Sequence, residues 1–244
     1  KADSILYLSN DGTSKLFRNI YIFDTISNII ITANYLYYEE KNNSGIITDK
    51  AIIQYLTGDD TMYVYADSFS ISSNDKKRYS TVLSGWHNVK IYSRNIQGVA
   101  DSISFTGQNE CVTLYNNPVL WIDTVQFDAK LIDIQTDSNN NINNIYLLNR
   151  CYIMSLADNN IGRYNQIKGN NGNIIFNDNK PVFAFIDGNV ETLYYIFDDN
   201  NKRLKGINKT KSEALKMKIV ENKIERIILL GKPQATFYPP RKLS

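Results

Sequence analysis

The chain has 244 residues, a formal net charge of +2 and 21% charged residues, which suits one large or two small globular domains. Because the net charge is small, we expect no nucleic-acid partner. One His and two Cys, Cys111 and Cys151, without metal-ligand spacing exclude zinc sites and most His-based catalysis. We therefore expect no metal site, and because GxxxxGK(S/T), GxGxxG and GxSxG motifs are also missing from the sequence, we expect no cofactor and no enzymatic activity. No apolar stretch reaches the ~18 residues of a membrane-spanning helix, so we expect a chain that does not span a membrane.

A short element recurs along the chain. It is a small residue, then a polar residue, then apolar residues at alternate positions, as in Ala66, Asp67, Phe69 and Ile71. Gly172 departs from it, because an apolar residue is expected there. The seven copies begin 29 to 43 residues apart, at Ala2, Ala33, Ala66, Ala100, Ala129, Gly169 and Ser212.

A second element follows each copy after a polar turn, and its first residue precedes another alternating apolar pair. These elements begin at Asn19, Lys50, Asn88, Pro118, Arg150, Asn189 and Gln234. Turn residues such as Asn10, Asp11 and Gly12 separate the two elements, as a β-hairpin requires. The pattern therefore predicts a two-strand hairpin used seven times.

Seven hairpins with one apolar face each can bury that face only by stacking on their neighbours. The sequence thus predicts an all-β, elongated antiparallel fold, built either as a closed barrel or as a long folded sheet with open ends. We expect a single domain over residues 1–238 and a tail over 239–244, because Pro239 and Pro240 stop strand pairing. Residues 209–218 have a composition that also suits a helix, although their alternation fits a strand.

Several segments resemble the OstA-like family of periplasmic lipopolysaccharide-transport proteins, whose bridging member is LptA. They are the Ala-Asp-Ser elements at Ala2, Ala66 and Ala100, the Asn88-Val89 pair, and the stretches 166–169 and 231–238. The resemblance extends from Ala2 to about Tyr238, and each motif is weak alone, whereas their order and spacing are specific.

The resemblance implies an open antiparallel β-jellyroll that shelters lipopolysaccharide acyl chains in an apolar groove. It also implies a non-enzymatic, periplasmic protein that bridges the inner and outer membranes. The partners would be lipopolysaccharide or a related lipid, and other transport proteins or a second copy joined through edge strands. We expect those edges in the first hairpin, 2–23, and the last, 215–238.

Alternation predicts which strand residues face the interior. They either fill an ordinary core or, if the interior is open, line a lipid-binding groove. The predicted groove residues are Ile5, Ile20, Ile22, Leu36, Tyr38, Phe69, Ile71, Val89, Ile91, Ile103, Phe105, Val119, Trp121, Ile132 and Ile134.

Two other functions fit the same pattern. One is a structural or adhesive β-solenoid of the cell surface that binds carbohydrate or protein on an outer face. The other, within the family, is the soluble N-terminal part of an outer-membrane lipopolysaccharide translocon. A solenoid would have a dry, filled interior, whereas a lipid carrier would have an open apolar one.

Overall fold

Antiparallel β-strands form the regular structure of the protein. The computed structural model describes residues 1–25, 28–57, 60–73, 81–106, 111–137, 141–158, 162–198, 203–221 and 223–240, and no α-helix occurs in them. The all-β antiparallel fold predicted from the sequence is confirmed, and residues 209–218 lie in a strand. The chain divides into two compact units, residues 1–120 (unit 1) and 121–244 (unit 2). A single domain over 1–238 stays a prediction.

Unit 1 contains bent long strands and short straight ones. The strands that begin in unit 1 are β1 (Ser4–Leu8), β2 (Thr13–Asp24), β3 (Ile29–Glu39), β4 (Ser44–Thr48), β5 (Ile52–Thr57), β6 (Asp60–Tyr65), β7 (Ser68–Ser73), β8 (Thr81–Tyr92), β9 (Ile96–Thr106), β10 (Cys111–Tyr115) and β11 (Val119–Ile122).

Each long strand of unit 1 takes part in two layers. In β3, Tyr35–Glu39 pair with β4, whereas Ile29–Thr32 pair with β5. Layer A of unit 1 contains β1, β4, β7 and β10 with one half of β2, β3, β8 and β9, and layer B contains β5, β6 and β11 with the other halves. Because each long strand belongs to one layer with its first half and to the other layer with its second half, consecutive antiparallel strands can form a two-layered jellyroll.

The sequence repeats mark the bends between the layers. β2 shifts register between Phe17 and Ile20, and Arg18 and Asn19 at this bend have φ of 58° and 49°. Such left-handed backbone is tolerated best by Gly, Asn and Asp. The same paired conformation occurs at 49–50, 87–88, 116–117 and 149–150. The second repeated element therefore begins at or beside a bend, rather than at the turn of a hairpin.

Asp and Asn side chains connect neighbouring bends. Asn88 Nδ2 donates to Asp67 Oδ2 at 2.7 Å, and Asn116 Nδ2 donates to Asp101 Oδ2 at 3.1 Å. The small residue of the first element is buried at the bend, as Ala66 is. Asp3 likewise accepts a hydrogen bond from Asn19 Nδ2, so Asp–Asn hydrogen bonds recur between neighbouring bends of unit 1.

Asp101 gives this connection a pH dependence. Hydrogen bonds from Asn116 and His87 hold the pKa of the Asp101 carboxyl below its ordinary value. Since the folded-state pKa is the lower one, the stabilisation is present above the unfolded-state pKa and is lost as pH falls through the folded-state value. We expect Asn116→Ala to raise the Asp101 pKa, measured by NMR titration of its carboxyl carbon. An unchanged pKa would contradict this assignment, and Asn143→Ala in unit 2 is the control.

Unit 2 has the same two-layered plan. Its strands are β12 (Val125–Asp128), β13 (Leu131–Thr136), β14 (Ile142–Leu148), β15 (Cys151–Asp158), β16 (Arg163–Gly169), β17 (Asn171–Asn177), β18 (Lys180–Phe197), β19 (Leu204–Val220), β20 (Lys223–Leu230) and β21 (Gln234–Tyr238). Layer A of unit 2 contains β13, β14, β17 and β20 with residues 180–187 and 214–220 of the long strands. Layer B contains β12, β15, β16 and β21 with residues 190–197 and 204–211.

Gly172 is explained by close packing. A Cβ at this position would lie 2.8 Å from Cys151 Sγ and 3.0 Å from Ile186 Cδ1. Neighbouring side chains thus occupy the space that the repeat assigns to an apolar residue. Cys111 and Cys151 are not joined by a disulfide, and burial raises the pKa of Cys151 to about 12. Cys151 therefore acts as a small apolar core residue.

Candidate functional site

The predicted groove residues of layer A in unit 1 form two rows. The first row contains, in register across the strands, Ile5, Leu16, Leu36, Ile47, Phe69, Gly85, Ile103 and Leu114. The second contains Tyr7, Ser14, Tyr38, Gly45, Ile71, Leu83, Phe105 and Val112. The alternation therefore brings the predicted layer A residues onto one face.

Layer B of unit 1 holds another row. It contains Ile22, Ile31, Ile53, Val64, Ile91 and Gly98. Ile20 and Val89 lie beside it, each next to a bend, and both are buried. The predicted residues of this layer thus also share the buried face.

Many of the predicted groove residues are sealed in the core. Phe69 and Val89 are each 1% exposed, and Ile132 of unit 2 is fully buried. By contrast, Ile5 is 62% exposed because β1 pairs with β2 alone among the described strands. A close-packed position has no space for a ligand without displacement of its neighbours. Whether these residues bind lipid stays a prediction.

Val119 and Trp121 lie on the other face of β11. Leu120 and Ile122 are buried, whereas Val119 and Trp121 are half-buried. The sequence pattern that starts at Pro118 predicts Val119 and Trp121 on the inward face, whereas the structure places Leu120 and Ile122 there. The pattern is shifted by one residue because both Asn116 and Asn117 belong to the bend. Trp121 Nε1 donates to Gln126 Oε1 at 3.0 Å.

An open cavity lies in unit 2, between its two layers. It has a volume of about 510 Å³, within the range of small-molecule sites. Layer A contributes the apolar residues Ile174, Phe176, Pro181, Ala184, Met217, Ile219, Ile224 and Ile227, and layer B contributes Phe127, Ile153, Ile167, Leu193 and Phe197 among others. The cavity can therefore cover a hydrocarbon chain.

None of the fifteen predicted groove residues lines this cavity. The row of Ile134 continues through Ile145 to the lining residues Ile174, Ala184 and Met217. The repeat could have indicated the site. Ile153, Ile174 and Met217 stand at alternating apolar positions of its later copies.

Charged groups lie near the ends of the lining strands. Lys223 and Asp123 line the cavity themselves. Arg163 Nη1 lies 3.4 Å from Asp158 Oδ2, and Lys205 Nζ lies 3.0 Å from Asp198 Oδ2. The apolar cavity is thus bordered by groups that can contact a polar head group.

The described part of the chain gives little support for a metal site or for a role of His87 in chemistry. Within it, no three His, Cys, Asp or Glu side chains gather as metal ligands would. His87 Nδ1 lies 3.4 Å from Asp101 Oδ1 on the surface. This contact connects the bend at residues 87–88 to the neighbouring strand β9.

A family model confirms the resemblance. Residues 30–140 match the family described as LptA/(LptD N-terminal domain) LPS transport protein. Over these residues the chain is similar to that family. The match contains most of the predicted groove residues and ends before β14, so it covers only the first strands of unit 2.

Several solved chains are also similar. One of them is the crystal structure of LptH, the LptA homologous periplasmic component of the lipopolysaccharide transport device from Pseudomonas aeruginosa, at 9% identity and a TM-score of 0.41. The match covers 59% of this chain and 97% of LptH. No curated protein matches the sequence. The described residues contain no helix that is long and apolar enough to cross a membrane.

Proposed function

We propose that this chain is a non-enzymatic, periplasmic lipid-binding protein that shelters lipopolysaccharide acyl chains during transport between the two membranes. The apolar cavity of unit 2 is the observation that carries the proposal. Exposure of acyl chains to water costs about 0.8 kcal/mol per methylene, or about 8 kcal/mol for ten. A protein that moves such a lipid through water must cover these methylenes, and it needs no bond chemistry to do so.

A displacement assay tests this function. A fluorescent fatty acid is bound to the full chain, and purified lipopolysaccharide is titrated in. We expect saturable binding of the fatty acid and its displacement by lipopolysaccharide. Lipopolysaccharide stripped of its acyl chains is the control and should not displace it. Absence of fatty-acid binding would overturn the proposal.

The edge strands support assembly with a transport partner or a second copy. Among the described strands, β1 pairs only with β2, and β20 and β21 pair only with β19. Leu6 is 45% exposed and Phe237 is 53% exposed. Unpaired edge backbone with apolar side chains accepts a further strand. We propose that β1 of one protein pairs with β20 or β21 of the next.

We expect Leu6→Lys to weaken self-association, because a Lys on an edge strand opposes the addition of a neighbour. Sedimentation velocity over a concentration series measures the effect. Tyr92→Lys, at an exposed position of the internal strand β8, is the control and should associate like the wild type. A wild-type protein that is monomeric at every concentration would contradict self-assembly.

A further inference from the structure

The outer face of layer A in unit 1 carries no charged side chain across five neighbouring strands. Each of β4, β7, β8, β9 and β10 contributes three residues to it. Since 21% of the chain is charged, about three of these fifteen residues would ordinarily be charged. We call this surface the hydroxyl face, because ten of its residues are Ser or Thr. Its residues are Ser44, Ile46, Thr48, Ser68, Ser70, Ser72, Val82, Ser84, Trp86, Ser102, Ser104, Thr106, Cys111, Thr113 and Tyr115.

Two aromatic side chains are exposed on the hydroxyl face. Trp86 is 47% exposed and Tyr115 is 36% exposed. Both pair with Ser102, from opposite sides of β9, so they lie two strands apart in one row. Because neighbouring strands are about 4.8 Å apart, the two aromatic residues are about 10 Å apart along the row.

Hydrogen bonds hold the two aromatic side chains in the same direction. Trp86 Nε1 donates to Ser70 Oγ at 3.2 Å, and Tyr115 Oη lies 3.1 Å from Ser104 Oγ. Each serine is on the preceding strand, and both serines belong to the row beside that of the aromatic residues. Both rings therefore lean across the sheet the same way, and Ser102 between them is only 6% exposed. A ring held by its edge against the sheet leaves one face toward solvent.

A sugar ring fits this arrangement of groups. The C–H face of a pyranose is apolar, and the electron-rich face of an aromatic ring attracts such C–H groups. The hydroxyls around the sugar need both donors and acceptors, and Ser and Thr hydroxyls supply both. The separation of about 10 Å, which is two strand spacings, is comparable to the length of a disaccharide. Trp86 and Tyr115 can therefore stack on alternate sugars of an extended chain.

The absence of charge decides between possible occupants. A phosphate or an acidic sugar would meet no cation on the hydroxyl face, and Asp67 and Asp101, which directly precede Ser68 and Ser102, would repel it. Protein interfaces are depleted in Ser and enriched in Arg, and membrane-binding surfaces carry Lys and Arg beside their apolar residues. An uncharged glycan thus matches the hydroxyl face best.

We propose that the hydroxyl face binds a neutral, extended glycan chain, with Trp86 and Tyr115 stacked on its sugars and the serine rows hydrogen-bonded to its hydroxyls. The face lies on the opposite side of the sheet from the buried row of Phe69 and Ile103. The site is therefore distinct from the unit 2 cavity and goes beyond the proposed function. Glycan and lipid would bind to different units of the same chain.

Isothermal titration calorimetry on the full chain tests this site. The probes are two neutral hexasaccharides with extended chains, cellohexaose and chitohexaose. We expect at least one of them to bind saturably. Hexagalacturonate, which has a carboxylate on each sugar, should bind about tenfold more weakly or not at all, because the hydroxyl face offers no cation to its carboxylates.

Trp86→Ala and Tyr115→Ala are each expected to weaken hexasaccharide binding by about threefold to tenfold, the range of one aromatic stacking contact. Both residues are exposed, so the variants should fold and should bind the fluorescent fatty acid as the wild type does. Tyr92→Ala is the matched control, because Tyr92 is 62% exposed on the outer face of layer B. It should keep the full affinity for the hexasaccharide.

Tryptophan fluorescence reports the stacking contact itself. The chain has two Trp residues, so Trp121→Phe leaves Trp86 as the only one. A sugar stacked on the indole should change the emission of Trp86 during the hexasaccharide titration. Binding without any change in this emission would contradict the stacking.

The outcomes decide the inference without affecting the proposed function, which the fatty-acid titration measures separately. Hexasaccharide binding that is weakened in both aromatic variants and kept in Tyr92→Ala would support it. It is overturned if neither hexasaccharide binds, or if either aromatic variant binds as tightly as the wild type. It is also overturned if hexagalacturonate, or lipopolysaccharide stripped of its acyl chains, binds as tightly as the neutral probes, because the site would then recognise charged saccharides.

Discussion

Phe69→Ala is expected to lower the free energy of unfolding of unit 1 by about 3–5 kcal/mol, the usual cost of truncating a buried Phe. Phe69 is 1% exposed and lies between Ile47 and Gly85 in the first row of layer A. Its removal leaves a cavity that the paired backbones on both sides cannot fill. Chemical denaturation followed by circular dichroism measures the change.

Gly85 provides the second half of this test. A Cβ there would lie 2.8 Å from Phe69 Cε1 and 2.8 Å from Ile103 Cγ2, so Gly85→Ala should cost about 1–3 kcal/mol by overpacking. In the Phe69→Ala background one of the two clashes disappears, and Gly85→Ala should cost less. Additive effects would contradict the packing described for this row. Ser84→Ala, on the opposite face of β8, is the control.

Ala184→Trp is expected to weaken acyl-chain binding by about tenfold or more, because the new side chain would keep a few methylenes of the ligand out of the cavity. Each methylene that stays in water costs ~0.8 kcal/mol, so the loss of a few accounts for a tenfold change in affinity. Ala184 lines the cavity from layer A, between Ile174 and Met217. An indole at this position would occupy the space assigned to the ligand. The fluorescent fatty-acid titration measures the affinity.

Ala214→Trp is the matched control, since Ala214 lies on the other face of the same layer, paired with Asp187 and Leu230. It should bind the fatty acid normally. If Ala184→Trp does not fold, Ala157→Trp at the half-buried end of β15 gives the same test. A folded cavity variant with unchanged affinity would show that acyl chains bind elsewhere.

Much of the fold could be predicted from alternation and turn chemistry. The strand faces follow from the period of two, as the row through Leu36, Phe69 and Ile103 shows. The bends could not be distinguished from hairpin turns, because Asn and Asp favour left-handed backbone in both settings. Asn34 and Asp101 thus lie within strands at bends, where the sequence predicts strand starts.

The cavity was harder to predict, because alternation shows which residues face inward and not whether the space between them is filled. Phe69 and Ile174 have the same pattern around them and are 1% and 2% exposed, yet only Ile174 of the two lines the cavity. On the layer B wall, Thr192 and Asn165 interrupt the apolar pattern. Such polar positions in an inward row are the signal that the sequence offers for this site.

Methyl NMR with a spin-labelled fatty acid tests the central claim most directly, that the unit 2 cavity holds an acyl chain. A nitroxide near the end of the chain broadens methyl signals close to it. We predict strong broadening of Ile153, Ile174 and Met217, which line the cavity, and little change at Ile47 and Ile53 in the core of unit 1. Unbroadened cavity methyls, or equal broadening in both units, would contradict the account.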